Sequence, residues 1–105
     1  MEESSRIYMN YRQAMEQADQ LDAQARQLSE LAGARLEESI TRMGTHWKGE
    51  NANAYLAKCR VLQEKLRKTA KGLSNAAAAL RTSAKRTYQA ELRALELSRA
   101  RSYQG

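Results

Sequence analysis

Two apolar stripes at heptad spacing, in a chain with no proline, constrain this sequence more than any other feature. The first runs Tyr11, Ala14, Ala18, Leu21, Ala25, Leu28 and Ala32, in alternating steps of three and four residues. It continues through Leu36, Ile40, Met43 and Trp47 after one extra four-residue step. The second runs Tyr55, Cys59, Leu62, Leu66, Thr69, Leu73, Ala76 and Leu80, then Ala84, Tyr88, Leu92 and Leu95 after a similar extra step. A 3-4 repeat places apolar groups along one side of an α-helix and is the seam of a coiled coil. An added four-residue step is a stutter, which locally unwinds the supercoil.

The stripes meet at Gly44-Thr45-His46-Trp47-Lys48-Gly49-Glu50-Asn51, which holds the only tryptophan and two of the five glycines. This run reads as a turn between antiparallel helices. Gly44 suits the left-handed position that closes a helix. Gly49 permits a positive φ or close packing where the chain reverses. Glu50, Asn51 and Asn53 supply acidic and capping side chains for the helix that follows. The reading is all-α and a single domain: helix one about 6–43, the turn 44–50, helix two about 51–97 and a flexible tail 98–105. Ser4 or Ser5 is the expected N-cap of the first helix. Gly33, inside helix one, has two readings, a close approach by another helix or a tolerated surface glycine. The run Ala76–Ala79 reads as a smooth helix wall, not a linker.

Folding the chain about Trp47 pairs residues whose numbers sum to roughly 95, placing Glu37 near Lys58 and Glu30 near Lys65. Two helices alone cover only part of each stripe, and much of the apolar content is alanine. A partner is therefore expected, with two hairpins forming a four-helix bundle. The seam residues offered to it are Leu21, Leu28, Ile40, Tyr55, Leu62, Leu66 and Leu73.

Charge is unevenly distributed in a chain of net charge +6. Residues 1–46 carry five basic and eight acidic side chains, net −3, and residues 47–105 carry thirteen and four, net +9. Two oppositely charged helices attract each other and leave a solvated basic face. An alternative function follows from that face: nonspecific nucleic-acid binding through Lys58, Lys65, Lys68, Lys71, Arg81 and Lys85 of helix two. Neither aromatic interleaving nor helix-turn-helix spacing supports it, so nucleic acid is not the expected partner. Nor is a membrane surface, since the alanine run is weakly apolar.

Catalysis has little to work with. His46 is the only histidine, too few for a histidine metal cluster or a triad. Cys59, the only cysteine, falls on the apolar stripe, where a small buried hydrophobe is the default. Glycines are scattered singly, without a phosphate loop. No enzyme activity, metal or cofactor is expected. The acidic start Met1-Glu2-Glu3-Ser4-Ser5 has no apolar signal region, so a cleaved signal peptide is not expected.

With Trp47-x-Gly49 at the midpoint of a proline-free helical pair, and Tyr55-Leu56 just inside the second helix, the chain resembles the WXG-motif family of small type VII secretion substrates, the early-secreted-antigen-like proteins. The resemblance implies a bacterial, non-enzymatic protein, made in the cytoplasm and secreted, or a secretion adaptor for a larger substrate. It implies a homodimer or a heterodimer, the partner being another WXG-type hairpin or the helical N-terminus of a toxin. It also implies that Trp47 and Gly49 shape a turn presented to the secretion ATPase. The family's export signal, Tyr-x-x-x-Asp/Glu, is matched only in part. Tyr88 is followed by Glu91 at i+3, and the i+4 spacing falls to Leu92 and Glu96 without the aromatic. Tyr88, Glu91, Leu92 and Glu96 are the candidate signal, with Tyr88 as a plain seam residue the competing reading.

Overall fold

The computed structural model describes residues 2–104, all of them helical except the three residues of the turn. Helix α1 spans Glu2–Glu30, a π-helical turn spans Leu31–Arg35, α2 spans Leu36–His46 and α3 spans Glu50–Gln104. The helices are longer than the sequence indicates. Ser4 and Ser5 lie inside α1, which starts at Glu2, and no helix closes at Gly44. Residues 98–104, expected as a flexible tail, continue α3, while Gly105 lies outside the described residues. Leucine, alanine, glutamate and arginine sustain a helix by propensity even where the apolar stripe has faded.

The residues fall into two compact units, one of residues 1–21 with 76–105 and one of residues 22–75. The second is a helical hairpin. Its two limbs are antiparallel: Gln63 meets Ala32, Arg60 meets Glu37, and Leu56 lies where a side chain on Gly44 would reach. Residue sums of 95 to 100 follow from these pairs, close to the expected register. The ion pairs differ in detail. Glu37 pairs with Arg60, not Lys58, and among the described residues no ion pair joins Glu30 to Lys65.

Alanine forms the contact in this unit. Ala25, Ala32, Ala52 and Ala70 are buried, and the leucines beside them, Leu28, Leu36, Leu66 and Leu73, are half-buried. Small side chains let helix axes approach closely, and long ones are pushed to the margin of the contact. On α3 this shifts the seam by one position. Leu62 is 51% exposed and Tyr55 49%, whereas Gln63, one residue on, is 2% exposed. Thr69 is exposed and Ala70 buried, repeating the shift a heptad later. Hydrophobicity alone picks the row of Leu62. Packing chooses the row of Ala70, because Cys59, Leu66 and Leu73 border both.

Gln63 is buried for a specific reason. The stutter between Ala32 and Ile40 coincides with the π-helical turn at Leu31–Arg35. There the Leu36 amide turns to the carbonyls of Leu31 and Gly33, bypassing Ala32, its partner in an unbroken α-helix. Gln63 Nε2 donates to the Ala32 carbonyl at 2.7 Å and to Glu37 Oε2 at 3.0 Å. Arg60 Nη1 donates to Gln63 Oε1 at 3.1 Å and also to Glu37 Oε2. A buried polar group is tolerated when its hydrogen bonds are complete. Gly33 is not a site of close approach: a Cβ there would meet nothing within 4 Å.

The other unit packs α1 against the distal part of α3, again antiparallel. Tyr11 stacks on Tyr88 with ring centroids 4.7 Å apart, Tyr8 leans on the same ring at 6.3 Å, and Arg81 donates to Asp19 at 2.8 Å. Ile7, Ala18, Ala77 and Ala84 are its buried apolar residues.

Two outcomes test this account of the hairpin. Gln63→Leu strands the Ala32 carbonyl, and chemical denaturation should show a loss of about 1–3 kcal/mol. Hydrogen bonds from Arg60, and next from Gln63, lower the Glu37 pKa from its ordinary 4.5. A depressed carboxylate stabilises the fold above its unfolded pKa and loses that contribution as pH falls through the folded value. Thermal melts of the wild type should therefore weaken as pH drops below the ordinary carboxylate range. Glu37→Gln should remove part of that dependence.

Candidate interaction surfaces

The turn comprises Trp47, Lys48 and Gly49. Met43 accepts the Trp47 amide at 2.8 Å, ending α2, and Trp47 itself is extended at φ −124° and ψ 120°. Gly49, at φ +116°, reverses the chain, and its carbonyl accepts the Asn53 amide at 3.0 Å in the first turn of α3. Among the described residues Gly49 is the one with a positive φ, so the left-handed role expected of Gly44 belongs to Gly49. The Trp47 indole stays 44% exposed and packs at 5.5 Å, tilted by 51°, on the ring of Tyr55. The apex therefore presents two half-exposed aromatic rings on a short, geometrically restricted turn.

A second surface follows from the packing of the hairpin. Counting from the buried row on each helix, residues three ahead or four behind lean to one side, and those three behind or four ahead lean to the other. From Ala25 and Ala70 the second direction leads to Asp22, Ser29, Arg67 and Ser74, which line one polar concavity with those alanines. The first direction leads to Leu28 and Leu66, then to Leu31 and Leu62, which are 44% and 51% exposed. Leu73 and Cys59 lie on the same row as Leu66 and are half-buried. One side of the alanine contact is thus polar, and the other is an uncovered leucine face.

Other candidate residues are placed differently. Ile40 is 4% exposed within the hairpin and has little surface left for another chain. Leu21, in the other unit, is half-buried. Tyr88 is held between Tyr11 and Tyr8, and it lines a concavity with Ile7, Tyr11 and Glu91. It is a packing residue of its unit. Leu92 is half-buried and Glu96 exposed on the same helix. Lys58, Lys65, Lys68, Lys71 and Lys85 are exposed, whereas Arg81 is engaged by Asp19. No helix among the described residues is long and apolar enough to cross a membrane.

Reading hydrophobicity along the sequence missed Gln63, Arg60 and the split between an alanine row and a leucine row. The signal was present as alanine at 18, 25 and 32 and again at 70, 77 and 84, each a strict heptad of small residues. No protein-family model, curated protein or solved structure matches the chain. At Gly49 a side chain would be strained whatever the space around it. Gly49→Ala should cost about 1–3 kcal/mol in thermal or chemical denaturation while leaving helix content by circular dichroism nearly unchanged.

Proposed function

We propose that this chain is a non-enzymatic helical secretion substrate or adaptor of the type VII, WXG-motif kind, acting as one half of a four-helix bundle. The observation that carries the reading is the uncovered leucine face of the hairpin, with Leu31 and Leu62 about half exposed. Two helices joined through alanine leave their leucines for a second pair of helices, and burying each leucine contributes about 1.5–3 kcal/mol. The exposed Trp47–Tyr55 pair beside the turn supports a recognition role for the apex. Its aromatic surface fits a protein partner such as the secretion ATPase. The second hairpin is a like chain, another WXG-type protein or the helical N-terminus of a toxin. The protein is made in the cytoplasm and is exported from the cell. Placement of Tyr88 inside its own unit favours an export signal supplied by the partner.

Sedimentation analysis with purified protein, alone and with candidate partners, tests the assembly. Leu62→Glu should abolish association without loss of helix content, since the side chain is exposed in the single chain. Trp47→Ala should abolish export from a host with the secretion system while association persists. A monomer that binds no helical partner, or unimpaired export of the Trp47 variant, would overturn the respective part.

A further inference from the structure

The leucine face of the hairpin has a border, and its charge is one-sided. Stepping outward on α3 from Leu66 to Leu62 and once more in the same direction leads to Lys58 and Lys65, both exposed. On the other limb the equivalent step back from Leu31 leads to Gln27, which is exposed and uncharged. Carboxylates are placed elsewhere. Asp22 and Glu37 lean toward the polar side of the alanine contact, where Arg67 and Arg60 also lie. Glu64 follows Arg60 and Arg67 on that same side by the four-ahead, three-behind rule. Glu30 lines the polar concavity. Glu38 pairs with Arg42 on the outward side of α2. Among the described residues no ion pair holds Lys58 or Lys65.

From this border we infer that the occupant of the leucine face is not a second copy of this chain but a different helical chain, whose leucines are flanked by carboxylates. This rests on the proposed bundle and names its partner's chemistry. A second copy would bring a leucine face edged by its own Lys58 and Lys65, placing cations against ours. Cations brought together at an interface repel, and opposite charge at such flanking positions selects the partner in helical bundles. A chain of net charge +6 adds to the penalty for self-pairing. Nucleic acid would use the lysines without the leucines. The adjacency of the two rows favours a protein helix.

The probe is a pair of synthetic amphipathic peptides with the same leucine heptads, one flanked by glutamate and one by lysine, titrated against the full chain at ~150 mM salt. The glutamate peptide should bind at least about tenfold more tightly, with the gap shrinking toward about 1 M salt. Lys58→Glu with Lys65→Glu should reverse the preference. Lys68→Glu with Lys71→Glu makes the same charge change away from the leucine border and should keep it. These lysines are exposed, and circular dichroism checks that each variant folds.

Equal affinity for both peptides would overturn the inference, as would an equal effect of the two double variants. A self-dimer so tight that neither peptide competes would assign the face to a second copy and leave the bundle reading standing. Saturable duplex-DNA binding at the same salt, lost in the Lys58/Lys65 variant, would assign the basic border to nucleic acid. Peptide binding and self-association both indifferent to Leu62→Glu would instead sink the leucine-face reading itself.

Discussion

Close approach through alanine is the constraint on which the hairpin depends. When the residues at the centre of a helix contact are small, the backbones draw together and the long side chains on the adjacent row cannot reach across to fill a shared core. They stay at the margin. Ala25, Ala32 and Ala70 are buried while Leu28, Leu66 and Leu73 are only half-covered, and Leu31 and Leu62 less so. The same packing that joins the two limbs therefore leaves them with apolar surface.

One polar residue sits in that small-residue contact, and its position is coupled to a defect in the facing helix. A π-helical turn admits one more residue than the α-helical ladder accommodates, at the cost of a bypassed carbonyl. Ala32 carries that carbonyl, and Gln63 supplies the donor. Glu37 and Arg60 then complete the Gln63 amide on both of its ends. This network can form at one register only. A slide of one helical turn would leave the Gln63 amide and the Ala32 carbonyl buried without each other. Alanine contacts are smooth and tolerate sliding. A buried polar pair does not, a role of the kind attested for single polar residues in coiled-coil seams.

The apex and the leucine face expose different kinds of surface. At the apex, Gly49 absorbs the backbone reversal, and Trp47 in the turn and Tyr55 near the start of α3 stay half exposed. On the face, the half-exposed Leu31 and Leu62 lie beside the exposed Lys58 and Lys65. Tyr88, which pattern reading offers as part of a signal, belongs to a tyrosine cluster with Tyr8 and Tyr11. An aromatic at a heptad position serves packing as readily as recognition, and its neighbours decide between the two.

Much of this was legible in the residues themselves. Absence of proline and the 3-4 repeat require long helices, and the lone Trp47-Lys48-Gly49 run marks where they reverse. An antiparallel register near a sum of 95 follows from that midpoint alone, and the Gln63–Ala32 contact has it. What only the tertiary structure decided is which row of α3 faces inward, because Cys59, Leu66 and Leu73 border both possible seams. Leu62 and Gln63 exchange their expected places for that reason. Likewise a four-residue step in a heptad pattern is the same string whether a supercoil unwinds or a π-turn forms. A π-turn forms at Gly33, where a buried amide on the opposite helix meets the carbonyl it bypasses. Sequence spacing determines which residues share a side of one helix. How closely a second helix can approach, and what its side chains bring to the bypassed backbone, determines which side is buried.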